Sequence, residues 1–340
     1  LSFKIRVGDS LVQEIGGIFF SPREIKGIPQ SLVALKNQVI EAKKDFFYGR
    51  QDTEESEVKS KEIQFFRELL KKRTGELREE IRKLESALDT KSEQIILFDE
   101  GEPEQLELDL PKANERRINQ LKEELQRLEE EKENLSMKSE FAFWPVEFAE
   151  IFSGDNGQGG FDVVIANPPY VRQELISDPK KINSTVEENR RYKEKLLEQI
   201  KKDWNDRKGN LIKLDKRSDL YVYFYLKGLQ LLNSDGVMCY ISSNSWLDVG
   251  YGAGLQEILL KRVPVIAIYD NQKKRSFKHA DVNTIIAVLG RPKLKDWAEE
   301  LKNNKVKFVM FKKPFEEAIF TEVLWQIEGN SDSIMKNDYF

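Results

Sequence analysis

Residues Phe161 to Val171 read FDVVIANPPYV, an apolar run that ends on Asn167, Pro168, Pro169 and Tyr170. Two successive prolines donate no backbone hydrogen bond and fix their own φ, so the chain beyond Ala166 must leave its strand as a rigid, extended loop. A loop that stiff holds some group in a set position. Few other side chains offer chemistry. Cys239 is the one cysteine and His279 the one histidine. A disulfide within the chain, a cysteine metal cluster and a histidine site are therefore all excluded, and no metal site is expected. Cys239 lies in the apolar run GVMCYIS and reads as a small core residue rather than a nucleophile.

The elements that carry this loop follow from the wider pattern. The chain has 340 residues, 34% charged and 39% hydrophobic, enough for one large domain plus an appendage, and no apolar run is long enough to cross a bilayer. It begins at Leu1 without a methionine or a leader, and FKIRVGDSL reads like the middle of a sheet, so the chain is expected to be a piece of a longer protein. The net charge of −4 argues against a simple polyanion binder, but the sign is unevenly spread. Lys and Arg outnumber Asp and Glu from 178 to 217 and again from 261 to 295, while the acidic excess lies around Glu93 to Glu133.

A strand is predicted at Phe3–Val7, broken by a turn at Gly8-Asp9. From about Ser31 to Glu140 the composition turns to Glu, Lys, Leu and Arg, which predicts a helical insertion. Ile118, Leu121, Leu125, Leu128, Lys132 and Leu135 have the spacing of a coiled-coil seam, and Ile63, Phe66, Leu70, Leu77, Ile81, Leu84 and Leu88 form a similar stripe. Pro103 and Pro111 between the stripes predict an antiparallel hairpin of two helices of about 25 residues each. The acidic cluster Asp99 to Glu107 reads as its solvated tip. After Phe141 the pattern alternates between strand and helix, with FDVVIA, DLYVYFYLKGLQLL, GVMCYIS, VPVIAIYD and NTIIAVLG in turn. This predicts an α/β fold with a mainly parallel sheet covered on both faces. The last two strands, joined by NQKKRSFKHADV, are expected as an antiparallel pair at the sheet edge. Asn-Pro-Pro-Tyr would then fall beyond the carboxyl end of its strand, where open α/β sheets bind ligands.

Taken in order, IRVGDSL, FWPVEFAEIF, GGFDVVIANPPYVRQE, SDLYVYFYLKGLQLL, GVMCYISSNSWL and SFKHADVNTIIAVLGR resemble the amino-methyltransferase family. The nearest type is the N6-adenine DNA methyltransferases of type IIG and related restriction-modification systems. The resemblance implies a Rossmann-like fold dependent on S-adenosylmethionine, present in part, with a catalytic domain over 1–30 and 141–295. It leaves 31–140 as the helical insertion and 296–340 as an extension towards a target-recognition region. It further implies double-stranded DNA as the substrate, further domains or subunits of a restriction-modification system as partners, and a prokaryotic cytoplasm as the location.

Residue roles come with the resemblance. An exocyclic aromatic amine is a poor nucleophile because its lone pair is delocalised into the ring. The Asn167 side-chain oxygen and the Pro168 backbone oxygen would accept its two hydrogens, and Pro169 would stiffen the loop: preorganisation rather than acid/base chemistry. Tyr170 would stack on an adenine flipped out of the duplex, and Phe277 would be the second stacking ring, although it also reads as core. Asp9 and Ser10 would bind the cofactor, Asp9 through the cofactor's adenine amine, although an aspartate in such a turn is also commonly structural. Asp219 and Tyr221 would line the cofactor pocket. Lys273, Lys274, Arg275 and Lys278 would contact DNA. For Asn244 to Trp246, pocket wall and plain packing are both open.

The chain departs from the family in one respect: the glycine-rich cofactor loop and the acidic residue after the second strand, expected ahead of IRVGDSL, are not in this sequence. Nor does it show an Asp…Glu-x-Lys nuclease constellation. Two alternatives stay open. The same loop also serves methyltransferases acting on RNA bases or on a glutamine side-chain amide, and the chain could instead be a non-catalytic helical docking fragment.

Overall fold

The computed structural model describes residues 8–15, 18–19, 30–49, 53–97, 105–135, 144–148, 150–152, 159–179, 181–204, 214–271, 283–293, 303–318, 320–329 and 334–340. The strand expected at Phe3–Val7 lies outside them. By internal contacts, residues 1–20 and 24–150 form one compact unit, and residues 21–23 and 151–340 form a second. Among the described residues no helix is long and apolar enough to cross a membrane.

In the first unit, the two-residue strands β1 (Glu14–Ile15) and β2 (Ile18–Phe19) pair antiparallel. Three long helices follow, α1 (Gln30–Tyr48), α2 (Glu55–Leu97) and α3 (Gln105–Asn134), and then the short α4 (Trp144–Glu147). The apolar stripes read from the sequence are the buried ones. Ile63, Phe66, Leu70, Leu77 and Ile81 share one core with Ile118, Leu121, Leu128 and Leu135, and Leu84, Leu88 and Leu125 are partly covered by it. α2 and α3 run antiparallel. Arg73 pairs with Glu124 at 3.9 Å, while Glu80, further along α2, pairs with Arg117, further back on α3, at 3.1 Å. Arg78–Glu129 and Lys122–Glu85 repeat the relation. Exposed pairs of this kind are each worth under about 1 kcal/mol, so they set direction more than stability.

The helices correct the sequence reading in three ways. α1 adds Leu32, Val39 and Ile40 to the same core, so the seam is shared by three helices instead of being closed by a hairpin alone. α2 and α3 have 43 and 30 residues, or about 65 and 45 Å at 1.5 Å per residue, well beyond the two of about 25 expected. Packing of an apolar face supplies most of a helix's stability, and here that face has two partners. Finally, α3 starts at Gln105 and runs through Pro111, so that proline does not mark the turn. Of the acidic cluster, residues 99–104 lie outside the described residues.

The second unit is a mixed α/β body. Its strands are β3 (Phe161–Ala166), β4 (Leu232–Ser243), β5 (Val265–Asn271), β6 (Thr284–Gly290) and β7 (Lys307–Phe311), in the spatial order β3-β4-β6-β5-β7. Its helices are α5 (Val186–Trp204), α6 (Leu220–Gln230), α7 (Ser245–Asp248), α8 (Ala253–Arg262), α9 (Phe315–Ala318) and α10 (Thr321–Gly329). The antiparallel pairing of β5 with β6 is as expected, but the pair is not at the edge. β7 adds to β5 in parallel, with Tyr269 opposite Val309. β6 runs against both of its neighbours, so half of the ladders are antiparallel and the sheet is not mainly parallel. Coverage is uneven too. Val309 and Phe311 are buried with Phe315, Ala318, Val323 and Ile327 of α9 and α10, whereas Val163 and Ile165 of β3 are 63% and 75% exposed. The expected cover on both faces is thus not met at β3.

α6 is mostly apolar and buried on nearly every side, and is therefore central. Tyr221, Tyr223 and Tyr225 are all buried on it, and the Tyr225 hydroxyl lies 2.9 Å from that of Ser242 on β4. α5 is locked onto it: Lys227 reaches buried Asp203, Gln199 donates to the same carboxylate at 2.9 Å, and the Trp204 indole donates to the Leu226 carbonyl at 3.2 Å. The start of β3 hugs the start of β4. Gly160 has φ of 146°, and a Cβ there would stand 2.6 Å from the Leu232 carbonyl carbon, so both backbone conformation and space require glycine.

Candidate active site

β3 and β4 are parallel, so their carboxyl ends share one rim of the sheet. β6 is antiparallel to β4, and its amino end meets the same rim: Ser243 is opposite Thr284, and the Asn244 N–H donates to the Asn283 carbonyl at 3.0 Å. Asn167 to Tyr170 leave β3 at this rim. Asn167 and Pro169 are exposed, Pro168 is buried and Tyr170 is half-buried. Burial pushes the Tyr170 hydroxyl up to about 12, so the ring is neutral at any physiological pH.

Tyr170 opens onto a cavity of about 260 Å³ lined also by Arg172, Asp219, Tyr221, Ser243, Asn244, Ser245 and Asn283. A second cavity of about 460 Å³ shares Arg172, Asp219 and Ser245 and adds Gln173, Arg217 and Tyr251 among others. The second lies within the range of small-molecule sites, about 300–1,000 Å³, and the first just below it. Behind the proline loop, the Val171 N–H donates to the Pro169 carbonyl at 2.9 Å and the Leu220 N–H to the Val171 carbonyl at 3.0 Å. Asp219 stands at the N-cap of α6 without capping it. Its Oδ1 instead accepts the Gln173 N–H at 2.9 Å, and its Oδ2 accepts the Tyr251 hydroxyl at 2.8 Å.

Of the residues singled out in the sequence, Tyr170, Asp219 and Tyr221 come together around one cavity, at the rim where Asn167 also sits. Tyr221 is engaged with Tyr251, hydroxyl to hydroxyl at 3.1 Å. Asn244 lines the cavity, whereas Trp246 is buried with its ring 5.9 Å from that of Tyr225. Asp9 and Ser10 belong to the first unit. Asp9 Oδ1 accepts the Leu11 and Val12 N–H groups at 2.9 and 3.1 Å, and the Ser10 carbonyl accepts the Trp144 indole N–H at 3.1 Å. Phe277, Lys273, Lys274, Arg275 and Lys278 lie outside the described residues. Cys239 sits in the middle of β4, away from the strand ends, and burial raises its thiol above the usual range.

Sequence reading missed Tyr251, Arg172, Ser243 and Asn283. The one visible signal was Gly250-Tyr251-Gly252 shortly after a strand, where glycines flanking an aromatic residue mark a tight turn.

Residues 33–277 match the model of the family described as Eco57I restriction-modification methylase. Among curated proteins, the chain is similar to the type II methyltransferase M.BstVI of Geobacillus stearothermophilus, at 27% identity over 143 residues, 42% of this chain and 20% of that protein. M.PaeR7I of Pseudomonas aeruginosa is 28% identical over 125 residues, 37% of this chain and 18% of that protein. The chain thus spans about a fifth of the length of these relatives. Among solved structures, a putative class I S-adenosylmethionine-dependent methyltransferase of Listeria monocytogenes aligns with 55% of this chain and 51% of its own, at 14% identity and a TM-score of 0.32, a likeness too slight to carry an argument. The family match spans most of the sequence and includes the proline loop at the sheet rim: the chain belongs to the Eco57I restriction-modification methylase family.

Proposed function

We propose that this chain carries the catalytic part of a site-specific DNA methyltransferase that acts on the N6 amine of adenine within a restriction-modification system. The observation that carries this reading is Asn167-Pro168-Pro169-Tyr170 at the carboxyl end of β3, with Tyr170 lining a cavity at the sheet rim. The Asn167 side-chain oxygen and the Pro168 carbonyl accept the two amine hydrogens, which draws the nitrogen out of conjugation with the ring. The prolines keep these acceptors in place before the substrate arrives. Tyr170 supplies a neutral stacking face for the flipped base. Cys239 takes no part in this reading: it sits within β4, away from the proline loop, and burial raises its thiol.

The cofactor in this reading is S-adenosylmethionine, which supplies a methyl group on a positively charged sulfur. The chain's residues fit it in one respect. Asp9 is almost fully buried and its carboxylate is fixed by two backbone N–H groups, so it is a preorganised acceptor for the amine of the cofactor's adenine. Ser10 is assigned to cofactor binding as well, and Asp219 and Tyr221 to the lining of the cofactor pocket. Phe277 is assigned as the second stacking ring, and Lys273, Lys274, Arg275 and Lys278 as contacts to DNA phosphates. By function, 1–30 and 141–295 are grouped as the catalytic domain, 31–140 as the helical insertion and 296–340 as an extension towards target recognition.

The test is to incubate the full-length protein with duplex DNA and labelled S-adenosylmethionine, then digest the product to nucleosides. Label in N6-methyladenine is expected. Label only in a cytosine, or none in the DNA while an RNA or a release-factor glutamine offered in parallel is labelled, would overturn the reading.

A further inference from the structure

We infer that Tyr251 is a positioning residue for the loop of Asn167 to Tyr170 and acts through Asp219; this rests on the methyl-transfer reading proposed above. The chain of contacts is continuous. The Tyr251 hydroxyl donates to Asp219 Oδ2 at 2.8 Å, and Asp219 Oδ1 accepts the Gln173 N–H at 2.9 Å. The next residue, Leu220, donates its N–H to the Val171 carbonyl at 3.0 Å. The segment just after the catalytic loop is thereby stapled to the start of α6 by two bonds, one of which depends on where the Asp219 carboxylate points.

That direction is contested. Asp219 stands at an N-cap, where a carboxylate ordinarily turns inward to bond the first N–H groups of its own helix and gains about 1 kcal/mol by doing so. Here its side chain makes no cap bond. The hydroxyl of Tyr251 holds the second carboxylate oxygen away from the helix, leaving the first for Gln173. Burial raises the Tyr251 hydroxyl above the usual phenol range, so it stays protonated and can donate.

Tyr251 is itself fixed. It lies in the turn Gly250–Gly252, and a Cβ on Gly252 would stand 2.6 Å from the Trp246 carbonyl carbon, so only glycine lets the turn sit against α7. The Gln256 side chain then donates to the Trp246 and Leu247 carbonyls at 2.7 and 3.0 Å, tying α8 to the same place. A rigidly mounted donor aimed at a residue that makes no cap bond to its own helix is suited to setting the position of a loop.

The test compares Tyr251→Phe with the parent in the full-length protein by two readouts. Hydrogen exchange at the Gln173 amide should become about tenfold faster while the amides of β4 are unchanged. The kcat for methyl transfer should fall about tenfold, with the KM for DNA and the melting temperature unchanged. Asp219→Asn, which keeps one acceptor oxygen, should speed exchange at the Gln173 amide less than Asp219→Ala does, and this comparison, read without cofactor, decides the matter if Tyr251→Phe does not fold. Exchange or kcat left at the parent's value overturns the inference. Failure of the methyl-transfer reading shows separately, as a parent that puts no label into adenine, and the exchange result is independent of it.

Discussion

Lys43 and Glu62 form an ion pair at 2.8 Å with both side chains sealed from solvent, at 0% and 1% exposure. The same ammonium donates to the Glu147 carbonyl at 2.6 Å and lies 3.4 Å from the Glu150 carboxylate, so a single lysine joins α1, α2 and the end of α4. Removing one partner of a buried pair costs about 3–5 kcal/mol because the other charge is left stranded. Lys43→Met should destabilise the first unit by about that much in urea unfolding, and Lys43→Met with Glu62→Leu should recover a large part of the loss. A single variant as stable as the parent would mean that water reaches the pair.

Asn167→Ala should leave the fold intact, since the residue is exposed on a loop and such substitutions stay within about 0.5 kcal/mol. Methyl incorporation should fall by at least about 100-fold, the scale for loss of one preorganised group in a catalytic site. Retention of more than a few per cent of the rate, with an unchanged melting temperature, would remove Asn167 from its assigned role.

Cys239 should react slowly with iodoacetamide, and the rate should still be climbing above the ordinary thiol value of about 8.5. The sign follows from burial: the thiol is raised, so the reactive thiolate appears only at higher pH. Cys239→Ala should keep full methyl transfer. A rate that levels off below pH 8 would show an activated cysteine instead.

Phe277→Ala and charge reversal of Lys273 and Lys274 should separate two kinds of DNA contact. The first should reduce capture of the flipped base by about one to two orders of magnitude, as loss of a stacking face does. The second should flatten the salt dependence of binding. With 2-aminopurine at the target position, fluorescence reports the first and a salt titration the second. An unchanged signal for Phe277→Ala assigns that ring to the core.

Gly160→Ala should cost about 1–3 kcal/mol, because alanine is strained at a φ of 146°. Its new methyl would also meet the Leu232 backbone at 2.6 Å. Urea midpoints measure the loss, and an unchanged midpoint would mean that the start of β3 can move off β4.

What the sequence determined by itself was local. The apolar stripes of α2 and α3 are set by spacing along one chain, and their residues are the ones buried together. The rigidity after Ala166 is a covalent property of two prolines, and the apolar runs marked β4, β5, β6 and α6 because burial requires them, and β3 although Val163 and Ile165 are exposed. Direction and partnership were another matter. Nothing in TIIAVLG states that β6 opposes both neighbours, nor in KFVMF that it completes the sheet, because a strand's pairing depends on which edges are left open once the others are in place. α1 escaped notice as a third partner for the same reason: its apolar face reads the same whether or not another helix is there to meet it. The cavity behind Tyr170 depended on tertiary structure entirely, since Asp219 meets Gln173 and Tyr251 across 46 and 32 positions of sequence. Only the packing of α6, the proline loop and the turn at Gly250–Gly252 brings those three groups within hydrogen-bond reach, because side chains so far apart in sequence have no local spacing to reveal them.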